Sequence, residues 1–311
     1  MMRARILSAL RKASPLIRAV FLTAVVIAGA IYIYGERQAI SDAFARIDGA
    51  TLFLALLAAL AHVAVSYGAW RAVLLEPPAS PARAARIFFI GQLGKYLPGG
   101  IWSFLALAEF AKDAGLTARS TFSAALLGLL ASIVAGAILA PFAYPWEASA
   151  ILLAIGVSVV AFVLAPLALR IAAPMLGRMA QHFVLPPMRA FNLSVLVSIA
   201  IWTAGGAILM VLAHGIGADD GSLGLAGYGA IYALAWIAGF VVFIAPAGVG
   251  AREGAMVAML SAHMGLSEAV AIALLARVLV TLADFALGGL ALAIRPGGQA
   301  VPATAQPPHQ G

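Results

Sequence analysis

Long runs of apolar residues, separated by short polar stretches, make up most of the 311-residue chain. Seven runs are uninterrupted, and each is close to the roughly 20 residues that a helix needs to cross about 30 Å of hydrocarbon. Continuous runs differ from the alternating pattern of a membrane β-barrel, and a helix satisfies its own backbone groups in lipid. The pattern predicts an all-α, polytopic membrane bundle of about seven or eight transmembrane helices. The seven runs cover residues 16–34, 51–75, 120–141, 149–173, 193–213, 225–245 and 268–294.

Composition supports the same class of protein. Hydrophobic residues make up 64% of the chain, charged residues only 10%, and the mean hydropathy is +1.04, whereas a soluble domain carries about 25% charged residues. The net charge of +7 is spread over short loops, which is typical of membrane topology and of attraction to anionic headgroups. No basic patch with interleaved aromatic residues favours nucleic-acid binding. Cysteine is absent, which excludes disulfides and thiol catalysis.

Two further apolar segments, 86–112 and 246–266, are interrupted by proline and glycine. The first contains GQLGKYLPGG at residues 91–100, where Pro98 disfavours a helix at the preceding residue. The arm before the break, 86–97, would be about 18 Å long at 1.5 Å per residue, too short to cross the bilayer. The segment is therefore predicted to be re-entrant, entering and leaving on one face.

The distribution of lysine and arginine predicts the orientation. With a cytoplasmic N-terminus and a re-entrant first break, most basic loops are cytoplasmic, and loops 141–149 and 214–224, which contain no lysine or arginine, are external. The third external loop, 36–50, contains Arg37 and Arg46. Counting 246–266 as a second hairpin opens both breaks from the same side and puts the C-terminus outside, whereas Arg295 favours the inside. The side of the C-terminus and the path of 246–266 stay open. The predicted organisation is a basic N-terminus (1–15), a transmembrane domain (16–295) and a disordered tail (296–311).

The first break carries a set of residues suited to an anion. Irregular backbone at membrane depth is tolerated only where it is buried in protein or lines a wet cavity. The half-helix that follows Gly99 and Gly100 would point free N–H groups and its positive dipole end into that cavity. Lys95 adds a cation, and Tyr96 and Trp102 are amphipathic rings. The alternative is that Lys95 snorkels to the headgroups and the glycines only permit close packing.

The second break repeats this chemistry. The sequence APAGVGAREGAM at 245–256 places Gly248 and Gly250 before Arg252 and Glu253, at the start of a new helix. Arg252 can bind a phosphate with two hydrogen bonds, and Glu253 could cap the helix or neutralise Arg252. The alternative is a structural ion pair at a helix terminus. Paired breaks of this kind are the best sequence-level indication of a binding site within the membrane.

Other charges within apolar segments are candidates for a substrate pathway. Arg277 and Asp284 lie two turns apart in the last run, too distant for a simple direct pair, so each is expected to meet another helix. Packing roles are the alternative for Arg277 and Asp284. Glu109 could balance Lys95 or Arg86. Small residues that predict helix-packing faces are Gly128, Ala131, Ser132, Gly136, Gly205 and Gly206.

The sequence contains no motif for nucleotide hydrolysis, zinc-dependent proteolysis or serine-hydrolase catalysis. The chain has no nucleotide-binding loop, no zinc-protease motif and no nucleophile-elbow motif. The histidines His62, His214 and His263 lack metal-ligand spacing, and each is interpreted as an ordinary helix residue. No catalytic residue, cofactor or metal is predicted.

The two breaks, GQLGKYLPGGIW and PAGVGAREGAM, resemble the signature segments of the lysylphosphatidylglycerol synthase transmembrane-region family. That family includes the flippase domain of the bacterial multiple peptide resistance factor and stand-alone flippase-like membrane proteins. The resemblance covers about 16–295, although its specificity lies in the two motifs. The residues that match are Gly94, Lys95, Tyr96, Pro98 and Gly99 in the first motif, and Pro246, Gly248, Gly250, Arg252, Glu253 and Gly254 in the second.

The resemblance implies a multi-pass protein of the bacterial inner membrane that moves an anionic or modified phospholipid, or a lipid-linked sugar, between leaflets. Its partners would be lipids with anionic headgroups. The alternative is a membrane-embedded subunit or partner of a glycosyltransferase that uses polyprenyl phosphate or lipid acceptors. The resistance factor also carries a soluble aminoacyl-transferase domain, which these 311 residues lack, so lysylphosphatidylglycerol synthesis is not expected and an enzymatic role is less favoured.

Overall fold

The computed structural model describes residues 37–96, 115–143, 185–241 and 250–294, with isolated positions 107, 110, 111 and 156 between them. Every regular element among these residues is helical, which confirms the predicted all-α class. Runs 16–34 and 149–173 lie outside the described residues, apart from position 156, so the total of seven or eight spans stays a prediction. Four described helices are long and apolar enough to cross a membrane: Gly49–Val73, Ala118–Ala143, Met188–Ile216 and Leu266–Leu292.

Eight α-helices are defined within the described ranges. Short 3₁₀ turns, Gly94–Tyr96 and Ala140–Ala143, follow the third and the fourth of them. In chain order the helices are α1 (Arg37–Ala45), α2 (Gly49–Val73), α3 (Pro81–Leu93), α4 (Ala118–Leu139), α5 (Met188–Ile216), α6 (Gly224–Val241), α7 (Ala251–Leu260) and α8 (Leu266–Leu292).

Local sequence signals account for several helix ends. The carboxylate of Asp48 accepts the backbone N–H of Thr51 at 2.7 Å and caps α2; this hydrogen bond favours the charged carboxylate and lowers the pKa of Asp48. Ser80 caps α3, with Pro81 at its first position. Helix α5 ends at Gly217, whose φ of 75° is a left-handed conformation that glycine adopts without strain.

One end of the bundle is held together by Arg46, which follows α1. Its guanidinium pairs with the carboxylate of Glu268 at 2.9 Å and donates to the backbone carbonyl of Ile216 at 3.3 Å. The start of α2, the end of α5 and the start of α8 therefore lie together. We call this the Glu268 end.

Helix α2 terminates at the opposite end of the bundle, which we call the Arg71 end. Glu76, in the loop after α2, accepts the backbone N–H of Thr117 at 2.7 Å, just before α4. The hydroxyl of Ser194, in the second turn of α5, donates to the carbonyl of Ala69 at 2.8 Å. Helices α4 and α5 therefore begin at the Arg71 end, antiparallel to α2.

The two ends differ in charge. The positive-inside rule favours the arginine-rich Arg71 end as the cytoplasmic one. Because α8 runs from the Glu268 end to the Arg71 end, its C-terminal end lies on the side that Arg295 favours. Of the described charges, Arg71, Glu76, Arg83, Arg86, Arg119 and Arg189 lie toward the Arg71 end, and Asp42, Arg46, Asp48, Asp219, Asp220 and Glu268 lie toward the Glu268 end.

The two broken segments enter the bundle from opposite ends. Helix α3 starts at the Arg71 end, where the hydroxyl of Tyr67 donates to the carbonyl of Pro81 at 3.4 Å. Helices α6 and α7 instead meet the Glu268 end: Ser222, before α6, lies 3.3 Å from the ring of His263, after α7. The described helices therefore favour opposite ends over the count in which 246–266 forms a second hairpin that opens from the same side as the first.

The reason is the pairing of the helices around the second break. Helix α6 lies beside α7, so close that a Cβ on Gly239 would lie 2.8 Å from the Cβ of Arg252. With 10 residues, α7 is about 15 Å long and cannot cross the bilayer alone. Helix α7 is thus the return arm of a hairpin whose first arm is α6, rather than part of a separate hairpin over 246–266.

Small residues bring the helices into close contact, which confirms the predicted packing faces. A Cβ on Gly206 would collide with the backbone of Gly229 on α6, and one on Gly205 would collide with the ring of Tyr232. On α4, a Cβ on Gly136 would lie 2.7 Å from the side chain of Ile237. Association in lipid depends on such packing, because apolar side chains gain little by leaving lipid.

Replacing Arg46 with alanine is expected to loosen the Glu268 end. The ion pair is partly exposed, with 46% of the Arg46 side chain accessible, so we expect a loss of about 1 kcal/mol of unfolding free energy. Thermal unfolding in detergent measures the change. Arg189→Ala, which removes an exposed arginine at the other end, is the matched control, and equal melting temperatures for the two variants would contradict the prediction.

Candidate functional site

The first break delivers a lysine and a tyrosine to one buried carboxylate. Helix α3 tightens into the 3₁₀ turn Gly94–Tyr96. Within this turn, the ammonium of Lys95 lies 2.7 Å from Oδ2 of Asp284, and the hydroxyl of Tyr96 donates to the same oxygen at 2.6 Å. The Asp284 side chain is fully buried, whereas 33% of the Lys95 side chain is exposed. The ion pair thus has a fully buried carboxylate and a partly exposed ammonium.

Glycines allow this approach. A Cβ on Gly288 would lie 2.9 Å from the side chain of Leu93, so α3 and α8 are in close contact at this glycine. A Cβ on Gly91 would lie 2.7 Å from the side chain of Leu107. The chain has therefore returned to α3 by residue 107, which supports the proposal of a re-entrant hairpin.

The second break positions Glu253 at the start of α7. Gly250 has a φ of 87°, a left-handed conformation suited to glycine, and its N–H donates to Oε2 of Glu253 at 2.7 Å. The other oxygen, Oε1, lies 3.6 Å from the guanidinium of Arg277 on α8. Glu253 therefore caps its own helix and pairs with Arg277.

Arg252 is turned into the bundle and is only 9% exposed. Its guanidinium carbon lies 4.7 Å from the centre of the Tyr232 ring, a distance suited to a cation–π interaction. The Tyr232 hydroxyl lies 3.3 Å from Nε2 of His62, and Nδ1 of His62 lies 2.8 Å from the carbonyl oxygen of Ile201. A chain of polar contacts thus joins α7, α6, α2 and α5.

Residues of both breaks meet the same helix, α8. Lys95 of the first break pairs with Asp284, and Glu253 of the second break pairs with Arg277, two turns away. We call Lys95, Arg252, Glu253, Arg277 and Asp284 the charge cluster.

The charge cluster lies within the membrane-spanning part of α8. By helical rise, Arg277 is about 16 Å from the start of α8 and Asp284 about 12 Å from its end. Each pairs with a residue from another element, as their spacing predicted, and the two partners, Glu253 and Lys95, belong to different breaks. The three cations and two carboxylates of the cluster sum to one positive charge, and the two carboxylates lie in ion pairs with Lys95 and Arg277. Among the described residues, the excess charge is therefore that of Arg252.

The structure brings together seven of the twelve residues proposed for the site or pathway, and the other five lie outside the described residues. The binding or pathway roles of all twelve stay predictions. The residues brought together are Lys95, Tyr96, Gly250, Arg252, Glu253, Arg277 and Asp284. Those outside the described residues are Gly99, Gly100, Trp102, Glu109 and Gly248.

Three aromatic residues at the site were missed by sequence reasoning. His62 is hydrogen-bonded, as expected of a helix histidine, but it also contacts Tyr232, the ring that lies against Arg252. Tyr232 supports Arg252, and Phe285 stacks on Tyr96 with ring centres 5.4 Å apart. The polar rings of His62 and Tyr232, inside long apolar runs, were the available signal. Among the described residues, no group of three potential metal ligands is found.

Comparison with known proteins identifies a family. The family described as the lysylphosphatidylglycerol synthase TM region matches residues 17–288, which include both breaks and the whole charge cluster. A comparison with curated proteins finds no match.

Proposed function

Because the chain belongs to the lysylphosphatidylglycerol synthase TM region family, we propose that it moves an anionic or modified phospholipid, or a lipid-linked sugar, between membrane leaflets. The family relates to membrane lipids and indicates a multi-pass membrane protein. Transport of the lipid by this protein is the part that we propose. It places the headgroup at the charge cluster and leaves the acyl chains in the surrounding lipid.

The observation that carries the proposal is the buried excess of positive charge at Arg252. Removing a phosphate from water is costly unless the protein supplies compensating charges and donors. A phosphodiester carries one negative charge, equal and opposite to the sum of the charge cluster. Arginine suits this role because its planar guanidinium donates two parallel hydrogen bonds to phosphate oxygens.

The opposite entry of the two hairpins supports movement rather than static binding. One hairpin connects the site to the Arg71 end, and the other connects it to the Glu268 end. Small shifts of either hairpin against α8 would open the site to one side at a time. Paired broken segments that meet near mid-membrane are typical of transporters.

The proposal is tested with purified protein in vesicles that contain an acyl-labelled lipid. Labelled phosphatidylglycerol is expected to exchange between leaflets faster than in protein-free vesicles, as measured by quenching of the outer leaflet with dithionite. Labelled glucosylceramide, which has no phosphate, is the control lipid and should exchange at the protein-free rate. Equal phosphatidylglycerol rates with and without the protein would reject the proposal.

The glycosyltransferase alternative has less support from the site. An enzyme of that class would require convergent, available carboxylates, whereas Glu253 and Asp284 are both in ion pairs. The third candidate carboxylate, Glu109, lies outside the described residues. Product formation from a lipid-phosphate acceptor by purified protein would favour that alternative.

A further inference from the structure

Arg252 is held inside the bundle by an aromatic ring rather than by a carboxylate. Its guanidinium carbon lies 4.7 Å from the centre of the Tyr232 ring, and the ion pairs found among the described residues do not include Arg252. A carboxylate partner would fix the arginine but cancel its charge, whereas a ring face attracts a cation without neutralising it. The charge of Arg252 therefore stays available to an anion, provided that Tyr232 keeps its position.

Tyr232 is fully buried, and its ring is confined by two other helices. Gly205 on α5 lies so close that a Cβ there would collide with the ring. The ring of His62 on α2 meets it edge-on, with ring centres 4.9 Å apart and an angle of 72° between the planes. The Tyr232 hydroxyl lies 3.3 Å from Nε2 of His62. His62 therefore supplies the polar contact that fixes the Tyr232 hydroxyl.

The contacts of His62 determine which ring nitrogen carries its proton. Nδ1 lies 2.8 Å from the carbonyl oxygen of Ile201. Because a carbonyl oxygen only accepts, Nδ1 must carry a hydrogen. A second proton on Nε2 would create a buried cation whose hydrogen-bond partners in the described part of the chain include no carboxylate, which is costly. The ring is therefore the neutral Nδ1–H tautomer, and its Nε2 accepts the hydrogen of the Tyr232 hydroxyl.

We propose that His62 is a positioning residue for Arg252: as the Nδ1–H tautomer, it accepts the Tyr232 hydroxyl and so fixes the ring on which the guanidinium lies. This inference rests on the proposed transport function, in which Arg252 receives the headgroup phosphate. His62 acts through Tyr232, and its other hydrogen bond anchors it to the backbone of Ile201. The arginine of the second hairpin is thereby referenced to α2 and α5, which belong to neither hairpin.

The tautomer is tested without a transport measurement. In protein with isotope-labelled histidine rings, nuclear magnetic resonance distinguishes a ring nitrogen that carries a proton from one that does not. The signals of His62 are identified by their shift in Tyr232→Phe, which removes the hydroxyl that Nε2 accepts. We expect wild-type His62 to carry a proton on Nδ1 and none on Nε2. A proton on Nε2, alone or on both nitrogens, would overturn the proposal.

Two substitutions of His62 separate its two hydrogen bonds. The amide of glutamine can reach the position of Nε2 and accept the Tyr232 hydroxyl, whereas the shorter asparagine reaches only the position of Nδ1 and can donate to Ile201. We expect His62→Gln to retain most of the wild-type rate of phosphatidylglycerol exchange. His62→Asn should exchange this lipid about tenfold more slowly, because the buried Tyr232 hydroxyl loses its acceptor.

Tyr232→Phe shows whether this difference comes from the hydrogen bond or from side-chain size. It keeps the ring against Arg252 and removes the hydroxyl, so exchange should slow by about tenfold. In this background, glutamine and asparagine at position 62 should give equal rates. A difference that persists there would assign the effect to packing and overturn the proposal. Tyr67→Phe, whose hydroxyl makes a 3.4 Å contact at the Arg71 end, is the matched control and should keep the wild-type rate.

The outcomes separate the inference from the function on which it rests. Accelerated exchange by the wild-type protein, with equal rates for His62→Asn and His62→Gln, would overturn the positioning role and leave transport intact. No acceleration by the wild-type protein would reject the transport function and, with it, the role assigned to His62, whichever tautomer is observed.

Discussion

Arg252→Ala is expected to abolish phosphatidylglycerol exchange in reconstituted vesicles while the protein still inserts and elutes as a single species. Removing one partner of a buried charged contact typically costs about 2–5 kcal/mol, so the rate should fall at least about 30-fold. The physical reason is that Arg252 carries the excess positive charge of the cluster. Without it, the headgroup phosphate would be desolvated with no net charge to receive it.

One further variant at position 252 separates charge from geometry, and a variant at position 189 is the control. Arg252→Lys keeps the charge but loses the planar donor pair and its fit over the Tyr232 ring, so an intermediate rate is expected. Arg189→Ala removes an exposed arginine and should retain the wild-type rate. Wild-type exchange in Arg252→Ala would remove Arg252 from the site.

Gly206→Leu is expected to prevent correct assembly of the bundle. A Cβ at Gly206 meets the backbone of Gly229 and of Tyr228. A flexible side chain could relieve such a clash by changing its rotamer, but the backbone of a packed helix cannot. Adding even one methyl group to a filled interface typically costs about 1–3 kcal/mol, and leucine adds more. Separating α5 from α6 would also displace Tyr232, which supports Arg252.

The matched control for this variant is Gly289→Leu. Gly289 is a helical glycine on the exposed side of α8, and a Cβ there meets nothing within 4 Å. Its replacement should leave the melting temperature unchanged or raise it, because glycine is a poor helix former. Fluorescence-detected size-exclusion chromatography and thermal unfolding compare the two variants. Equal behaviour would show that the α5–α6 contact is less close than described.

Much of the fold could be predicted because membrane helices depend on apolar length. The runs 51–75 and 268–294 correspond to α2 and α8, each within two residues at both ends. The run 193–213 underestimated α5, which begins at Met188 and ends at Ile216. Polar and charged residues near the start of α5 interrupted the apolar pattern but not the helix.

The arrangement around the second break could not be predicted because hydropathy measures length, not pairing. The run 225–245 is long enough to be counted as a separate span, and nothing local to it shows that α7 folds back along it. The close approach of Gly239 to Arg252 is a contact between helices. Such a contact is visible only once both helices are placed.

The candidate site was partly predictable because charge is rare in apolar segments. Lys95, Arg252, Arg277 and Asp284 stand out for that reason. Which cation meets which carboxylate depends on the approach of the breaks to α8. Glu253 was expected to cap α7 or neutralise Arg252, and it caps α7 while pairing with Arg277.

Attachment of both hairpins to one helix has a consequence for the permeability of the membrane. Lys95 binds Asp284, and Glu253 binds Arg277 two turns away on the same helix, so each hairpin that withdraws exposes an unpaired charge on α8. Withdrawing both together would leave two such charges without partners, which is far more costly than withdrawing either one. Under the proposed transport function, this coupling would favour opening to one side of the membrane at a time and would oppose a leak of small ions.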